Sequence, residues 1–568
     1  MKKFKTTRRL IPLLTIILCY LSAVPVEAQI ERYFRKSVSL FRIQTPDDMT
    51  RHQGEFVHNA LLDKLRSMGR FDYNPIPIRP GISLERLFEI VKDYSQTHQL
   101  DRAAKQFELM DEHYKEERIT GETLDKIIAG AYIIIPRVVN YSVGKNVEKK
   151  TDKEGNESWE VKVSVSYSLK LEIWNAENQG TEQNPRWEPY LEAETSISTY
   201  GSKSKTYSKK VKKEDISRQL VDDAVKNSLF LLKLQMGKSL KKLDMFTVKA
   251  AVTDRNLKRD IIKFDFGRNV GLHIDDPFKV VYYERLPSGD SKKVDVAYMK
   301  VRRLWQNESQ AQLLILHNPE GMRESELINP GDQVIEHPKM GLNFTIRSGY
   351  APYSLKPDTA GYWMKYNDGW DEYEFESDQG KISAAGAVIL GWEFDIAPYT
   401  GSSELYLYND YTLLLNHPMW GGLAELGFRK KFYKRRLGAF YGASAGIFAV
   451  TGKIGEVPYG NNTNAPFMYQ RQGDTSSAQI PVGSDIKLTG WSIGANLTAG
   501  LNYLLSPETS LTFEGGYRLY PKIDGDLWTI EAEDEGETWE MEIDEFEGEP
   551  APADISGFWG AVGIVFSL

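Results

Sequence analysis

Residues 491–503 alternate without a fault. Trp491, Ile493, Ala495, Leu497, Ala499, Leu501 and Tyr503 fall on one face of an extended strand, and Ser492, Gly494, Asn496, Thr498, Gly500 and Asn502 on the other. Side chains alternate sides along a strand, so one face is apolar and bounded by aromatics while the other is small and polar. The next segment repeats this, with Leu511, Phe513, Gly515, Tyr517 and Leu519 set against Thr512, Glu514, Gly516 and Arg518. Similar segments lie at about 341–350, 382–396, 403–414, 420–432 and 437–450, with one more at the end of the chain. A soluble β-sandwich would also alternate, but its polar face would carry Lys, Glu and Thr. Here the polar faces are Gly, Ala, Ser and Asn, plus a few charges of both signs. The pattern therefore predicts an antiparallel transmembrane β-barrel of about eight strands, apolar side outward. Arg347, Glu393, Glu425, Arg429, Glu514 and Arg518 would then form an ion-pair network in the lumen, where unpaired charge would be costly.

The last segment, residues 558–568, places Phe558, Val562, Ile564, Phe566 and Leu568 on one face and small Ala561, Gly563 and Ser567 on the other. A closing strand of this kind resembles that of bacterial outer-membrane β-barrels, with Leu568 standing where a phenylalanine is usual. The resemblance implies outer-membrane lipid as a partner, and the barrel assembly machinery as a reader of the last strand. Trp491, Tyr503, Phe558 and Phe566 are the expected membrane-interface aromatics. At the other end, Lys2, Lys3, Lys5, Arg8 and Arg9, the apolar run 10–21 and Val26-Glu27-Ala28 have the layout of a secretory signal over residues 1–28. Cleavage there would remove Cys19, the single cysteine, and leave no thiol or disulfide chemistry. The net charge of −8 argues against nucleic-acid binding.

Connections at 397–402, 433–436 and 506–508 are short, whereas 351–381, 451–489 and 521–555 are long and polar. Short turns face the periplasm and long loops the outside in such barrels, which puts the amino-terminal half in the periplasm. An eight-stranded interior is just wide enough for side chains to fill, so the charges read as a plug; a narrow gated pore is the alternative. Loop 521–555 carries Asp524, Asp526, Glu531, Glu533, Asp534, Glu535 and eight further acids around Trp528, Trp539 and Phe546. Carboxylates suit a divalent cation such as calcium, but the spacing fits no defined loop. Solvated acidic surface, or a hairpin continued above the membrane, are the competing readings.

The amino-terminal half divides at about residue 245. Over 29–245 an α/β (α+β) domain is expected. Its elements are a strand at Ser37–Ile43, a helix through Phe56, Leu61, Leu65 and Met68 that Gly69 stops, and the strand Phe71-Asp72-Tyr73. A helix at Thr120–Ile128, the strand 130–141, paired strands at Glu160–Trp174 and Tyr190–Thr199, and an amphipathic helix from Glu214 to Leu240 follow. This order resembles the periplasmic domain at the start of TolB and of the curli secretion channel, with 83–118 as an insertion. The resemblance implies an interaction module. Residues 246–338 form a small β domain, from Gly267-Arg268-Asn269-Val270-Gly271-Leu272 through Asn329-Pro330-Gly331-Asp332-Gln333-Val334. It is similar to the terminal β domain of the flagellar assembly protein T. His337-Pro338 would be the hinge into the barrel domain, 339–568. Lys203, Lys205, Lys209, Lys210, Lys212 and Lys213 read as a solvated hairpin tip or as a contact for acidic partners and lipid headgroups.

Motifs for catalysis are missing. There is no H-E-x-x-H or phosphate loop in the chain beyond residue 28; the two G-x-S-x-G matches, 442–446 and 490–494, fall in alternating barrel-strand segments and not at a strand-to-helix turn, and His417, in a turn before Pro418, has no serine placed beside it. The expectation is a non-enzymatic protein without a cofactor. Its barrel would anchor a periplasmic domain that docks an envelope or secretion component. A surface binder acting through the long loops and a lipid-modifying barrel enzyme are the alternatives. Edge strands and the 214–240 helix could support a homo-oligomer.

Overall fold

The computed structural model describes residues 35–73, 89, 131–151, 157–181, 187–285, 291–318, 321, 323–355, 363–366, 369–371, 385–415, 419–456, 467–470, 477–480, 483–524, 527–534, 537–541, 546–547 and 553–568. The signal segment, the insertion at 83–118 apart from Glu89, the helix expected at Thr120–Ile128, His417 and most acidic side chains of 521–555 lie outside the described residues or side chains.

The first sheet is mixed. Strands β1 (Lys36–Leu40), β2 (Phe71–Tyr73), β3 (Tyr132–Thr151), β4 (Glu157–Asn178) and β5 (Trp187–Tyr207) lie in the order β2-β1-β3-β4-β5. β1 runs parallel to both its neighbours, and the other pairs are antiparallel. Helices α1 (Arg51–Ser67) and α2 (Arg218–Lys241) cover one face. That face is the odd-numbered run of β4, from Val161 to Ile173, which is wholly buried. Thr50 opens α1 with a capping box. The Gln53 amide donates to Thr50 Oγ1 at 3.2 Å, and the Thr50 amide to Gln53 Oε1 at 3.0 Å. Gly69, at φ +66°, ends the helix in the left-handed conformation that glycine adopts freely. Lys203 and Lys205 lie within β5 rather than at a hairpin tip, because the strand runs on to Tyr207.

The second sheet closes into a small barrel. Strands β6 (Lys249–Asn256), β7 (Ile261–Phe264), β8 (Pro277–Arg285), β9 (Ser291–Leu304), β10 (Ser309–Leu316) and β11 (Gln333–Glu336) follow the order β10-β7-β6-β11-β8-β9, with β9 pairing back to β10. Phe264, Phe278, Val280, Met299 and Leu313 fill its interior and are fully buried.

The third sheet is the predicted barrel. Strands β12 (Leu342–Ala351), β13 (Ala385–Asp395), β14 (Leu405–Leu415), β15 (Met419–Lys434), β16 (Leu437–Glu456), β17 (Asp485–Leu504), β18 (Thr509–Leu519) and β19 (Gly557–Ser567) pair in antiparallel neighbours. Leu437–Glu456 joins Asp485–Leu504, and Leu342–Ala351 joins Gly557–Ser567, so the cylinder is closed. One rim, here called proximal, carries the turns 396–404, 435–436 and 505–508 and adjoins the small barrel. The distal rim carries the long connections. Residues 416–418 join β14 to β15 at that same rim, so the alternation of short and long connections breaks there. Within 521–555, Trp528–Asp534 and Glu537–Met541 form a hairpin that continues the sheet beside Asp485–Gly490.

Candidate functional site

The outside of the eight-stranded barrel is an apolar belt. Ile346, Leu390, Leu413, Leu426, Ile447, Leu497 and Ile564 are exposed, as are the aromatics Trp420, Tyr441, Trp491, Tyr503, Phe558 and Phe566. So continuous an apolar exterior on a closed sheet is suited to lipid, where an open sheet edge is not tolerated.

Inside, the strand alternation brings charges together. Arg347 donates to both Glu514 and Asp410. Arg429 donates to Glu393 at 2.7 Å and to Glu514 at 3.1 Å, its guanidinium held between the rings of Tyr408 and Phe440 at 4.4 and 4.7 Å. Lys431 and Asn343 complete the shell of Glu393. Arg518 reaches Glu425 at 3.5 Å and Thr412 at 3.3 Å and lies 4.7 Å over the Trp559 ring. Among the described residues the network has four cations (Arg347, Arg429, Lys431, Arg518) and four carboxylates (Glu393, Asp410, Glu425, Glu514), all buried. Balance of sign is what allows such a cluster to be buried at all. Toward the distal rim Tyr353, Phe448, Tyr520 and Trp528 close over it, with Tyr353 and Phe448 6.2 Å apart and Phe448 and Tyr520 6.5 Å apart.

The proximal rim is tied to the upstream half by all three of its turns. Glu404, buried and at φ +53°, accepts from Lys300 (2.9 Å), Arg302 (2.8 Å) and Tyr406 (2.7 Å), and its amide donates to Asp275. Burial alone would raise the Glu404 carboxyl, but Lys300 and Arg302 hold it far below the usual carboxylate range, because a nearby opposite charge favours the ionised form. Burial and neighbouring Glu404 push Asp275 up to about 6 despite Arg302. Arg435, also left-handed at φ +52°, forks onto Glu324 at 2.7 and 2.8 Å and reaches Asp260 at 2.7 Å. In the third turn Glu508 meets His337 Nε2 at 2.8 Å, and the Pro507 carbonyl accepts from Lys339. His337-Pro338 is therefore a clamped joint and not a free hinge. Burial, with Lys279 and Lys339 nearby, pushes His337 down to about 4.

The first sheet is fixed to the small barrel in the same manner. Arg70 is fully buried and forks onto Glu336 at 2.7 and 2.9 Å, with Phe246 O as a third acceptor at 3.1 Å. Gly69 and Gly271 lie back to back at positive φ, where a β-carbon on Gly271 would strike the Met68 carbonyl; glycine alone fits such an approach. Between the helices of the first sheet, the small barrel and the proximal rim lies a cavity of about 250 Å³, whose walls include Lys64, Lys238, Lys241, Lys339, Asp395 and Tyr399.

Arg347, Glu393, Arg429 and Glu514 thus meet in one network with Asp410 and Lys431, while Glu425 and Arg518 form a second pair beside it. The sequence reading passed over Asp410 and Lys431, although each sits an even number of residues from others on the same strand face. It also took the inner face of the last strand as uniformly small, whereas Trp559 and Val565 point inward and are buried. The junction contacts carry no local sequence signal, because their members lie far apart in the chain, by 102 residues for Arg302 and Glu404 and 171 for His337 and Glu508. Among the described residues no three His, Cys, Asp or Glu side chains cluster as a metal site.

No family profile and no curated protein sequence matches the chain. Among solved structures it is similar to Neisserial surface protein A, with 11% identity and a TM-score of 0.22 over 40% of this chain and 97% of that one. The N-terminal β-barrel domain of Pseudomonas aeruginosa OprF gives 11% identity and a TM-score of 0.18 over 40% and 98%. A major outer membrane protein from Thermus thermophilus gives 13% and 0.21 over 40% and 99%.

Proposed function

We propose that this is a non-enzymatic outer-membrane protein whose sealed barrel anchors a periplasmic half that docks an envelope or secretion component. The observation that carries the reading is the proximal rim: every short turn there is bonded to the upstream half, through Glu404, Arg435 and Glu508. A barrel built to conduct would keep that mouth open. A barrel built to display something holds its cargo at a fixed height and angle, which the buried Glu404 pairs with Lys300 and Arg302 and the bidentate Arg435–Glu324 pair do together. The mixed sheet with two helices on one face is the kind of surface an interaction module presents. It leaves the long edge strand Trp187–Tyr207 at the margin of the sheet among the described residues.

The test is cross-linking in intact cells from positions on the first sheet, with mass spectrometry of the products, alongside single-channel recording of the purified protein. The reading expects one abundant envelope protein joined to residues 29–338, and no steady conductance. Cross-links confined to the long distal loops would replace it with surface binding, and a stable open channel would replace it with a pore.

A further inference from the structure

We propose that the cavity at the junction holds the phosphoethanolamine headgroup of a phospholipid from the leaflet facing the proximal rim. The inference rests on the membrane-spanning reading of the barrel. Within the cavity the charges divide into those already matched and those that are not. Lys241 is matched by Glu336 at 3.0 Å and Asp276 at 3.4 Å, and Lys300 and Arg302 by Glu404 and Asp275. Lys64 and Lys238 have no carboxylate within salt-bridge distance among the described residues, and Lys339 donates to the Pro507 carbonyl and lies 5.1 Å from the Tyr298 ring. Burial and neighbouring cations draw all three ammonium groups below the ordinary lysine range, Lys339 down to about 7. A lysine in the last turn of a helix complements the helix dipole. That accounts for the positions of Lys64 and Lys238 in their own helices, but not for the two lining one cavity.

The other groups in the cavity narrow the ligand. Asp395, on the barrel side, accepts from the Ala397 amide at 2.9 Å and has no cation within salt-bridge distance among the described residues. A phosphate with an ammonium two carbons away would therefore set its anion among the lysines and its ammonium against the Asp395 carboxyl. The outer margin is apolar: Tyr399 is 74% and Phe230 64% exposed, and both flank Phe394, whose ring lies 6.2 and 5.9 Å from theirs. These aromatics sit where the barrel's apolar belt meets the junction, the level that interfacial aromatics occupy. Free phosphate would gain nothing from that margin, whereas acyl chains would lie along it. The cavity measures about 250 Å³. That size admits a headgroup and excludes its tails, since pockets for whole drug-sized ligands begin at about 300 Å³.

The experiment uses the full chain in nanodiscs of mixed phosphatidylethanolamine and phosphatidylglycerol, released into native mass spectrometry. Phosphatidylethanolamine should stay bound to the wild type. In Lys64→Gln/Lys238→Gln its retention should fall by about tenfold, as expected for loss of two charge-assisted contacts. Lys64→Arg/Lys238→Arg should keep it. Unchanged wild-type heat-modifiable mobility shows that the Gln variant is folded. Equal retention by wild type and folded Gln variant overturns the proposal. So does a preference for phosphatidylglycerol, or saturation of the site by inorganic phosphate with no lipid held. Failure of the wild type to enter the nanodisc overturns instead the membrane-spanning reading beneath it.

Discussion

This chain builds two closed β-barrels in succession, and they are inside out relative to one another. The six-stranded barrel buries Phe264, Phe278, Val280 and Met299 and turns charges such as Lys279, Asp295 and Lys263 to the surface. The eight-stranded barrel buries Arg347, Glu393, Arg429 and Glu514 and turns Leu497, Ile493 and Phe513 outward. Both use the same period-two alternation, so strand periodicity alone does not say which face is the core. On the membrane-spanning reading, what differs is the environment beyond the wall. Water rewards an apolar interior, while lipid is as apolar as leucine and leaves the interior to whatever polar set can satisfy itself. The lumen network is thus the counterpart of the small barrel's hydrophobic core.

The sharpest way to break this symmetry is to exchange one interior for the other. Phe264→Arg puts an unpaired cation into a closed apolar core and should unfold the small barrel, at a cost above about 4 kcal/mol; limited proteolysis will show new cleavage within 249–336. Arg429→Ala in the lumen leaves Glu393 to Lys431 and Glu514 to Arg347, with the buried set one cation short of balance, and should cost about 3–5 kcal/mol in denaturant titrations of the lipid-inserted protein. Replacing Arg429 and Glu514 together by Met should cost less than the sum of the single changes; additivity would show that the network is not one unit. On the outer walls, Leu497→Arg, midway between the Trp491 and Tyr503 belts, should cost about 2–4 kcal/mol in lipid, read by the same titrations. Tyr283→Arg on the exposed wall of the small barrel should change stability by no more than about 0.5 kcal/mol. A modest effect is also expected at the joint. His337 is depressed from 6.5 to about 4 in the folded state, so between those values the unfolded chain binds the proton that the folded joint refuses. Stability at the joint should be full above the unfolded value and fall as pH drops toward the folded one, by up to about 3 kcal/mol before solvent screening of this half-buried ring reduces it. His337→Gln should flatten that dependence, as read by thermal melts across the range.

The large barrel was legible because its strands are read one at a time. Residues 491–503 declare their two faces without help from any neighbour, and the predicted lumen charges Arg347, Glu393, Glu425, Arg429, Glu514 and Arg518 follow from parity. Trp559 was passed over because its small neighbours Ala561 and Gly563 set the character of that face. Its parity with them turns the ring inward, where the indole donates to Asn496 at 2.9 Å. The proximal junction was not legible at all. Nothing near Arg70 announces Glu336, and nothing near Glu404 announces Lys300, since each pair is assembled by the packing of separate sheets. His337-Pro338 was read as a hinge because a proline between domains usually marks a linker, and the contact with Glu508 lies 171 residues away.

Glu404 also bears on the order of assembly. Its backbone sits at φ +53°, and two of the cations on its carboxylate, Lys300 and Arg302, belong to the small barrel. A left-handed glutamate is unfavourable in isolation by about 1 kcal/mol, and without the small barrel its charge would go unmatched. The first proximal turn therefore reaches its final conformation only after the upstream half has folded and docked. A large barrel folded without the small one would carry an unfinished rim, with Glu404 and Arg435 both lacking the partners described above. The rim of the large barrel is in this way completed by residues of the small one.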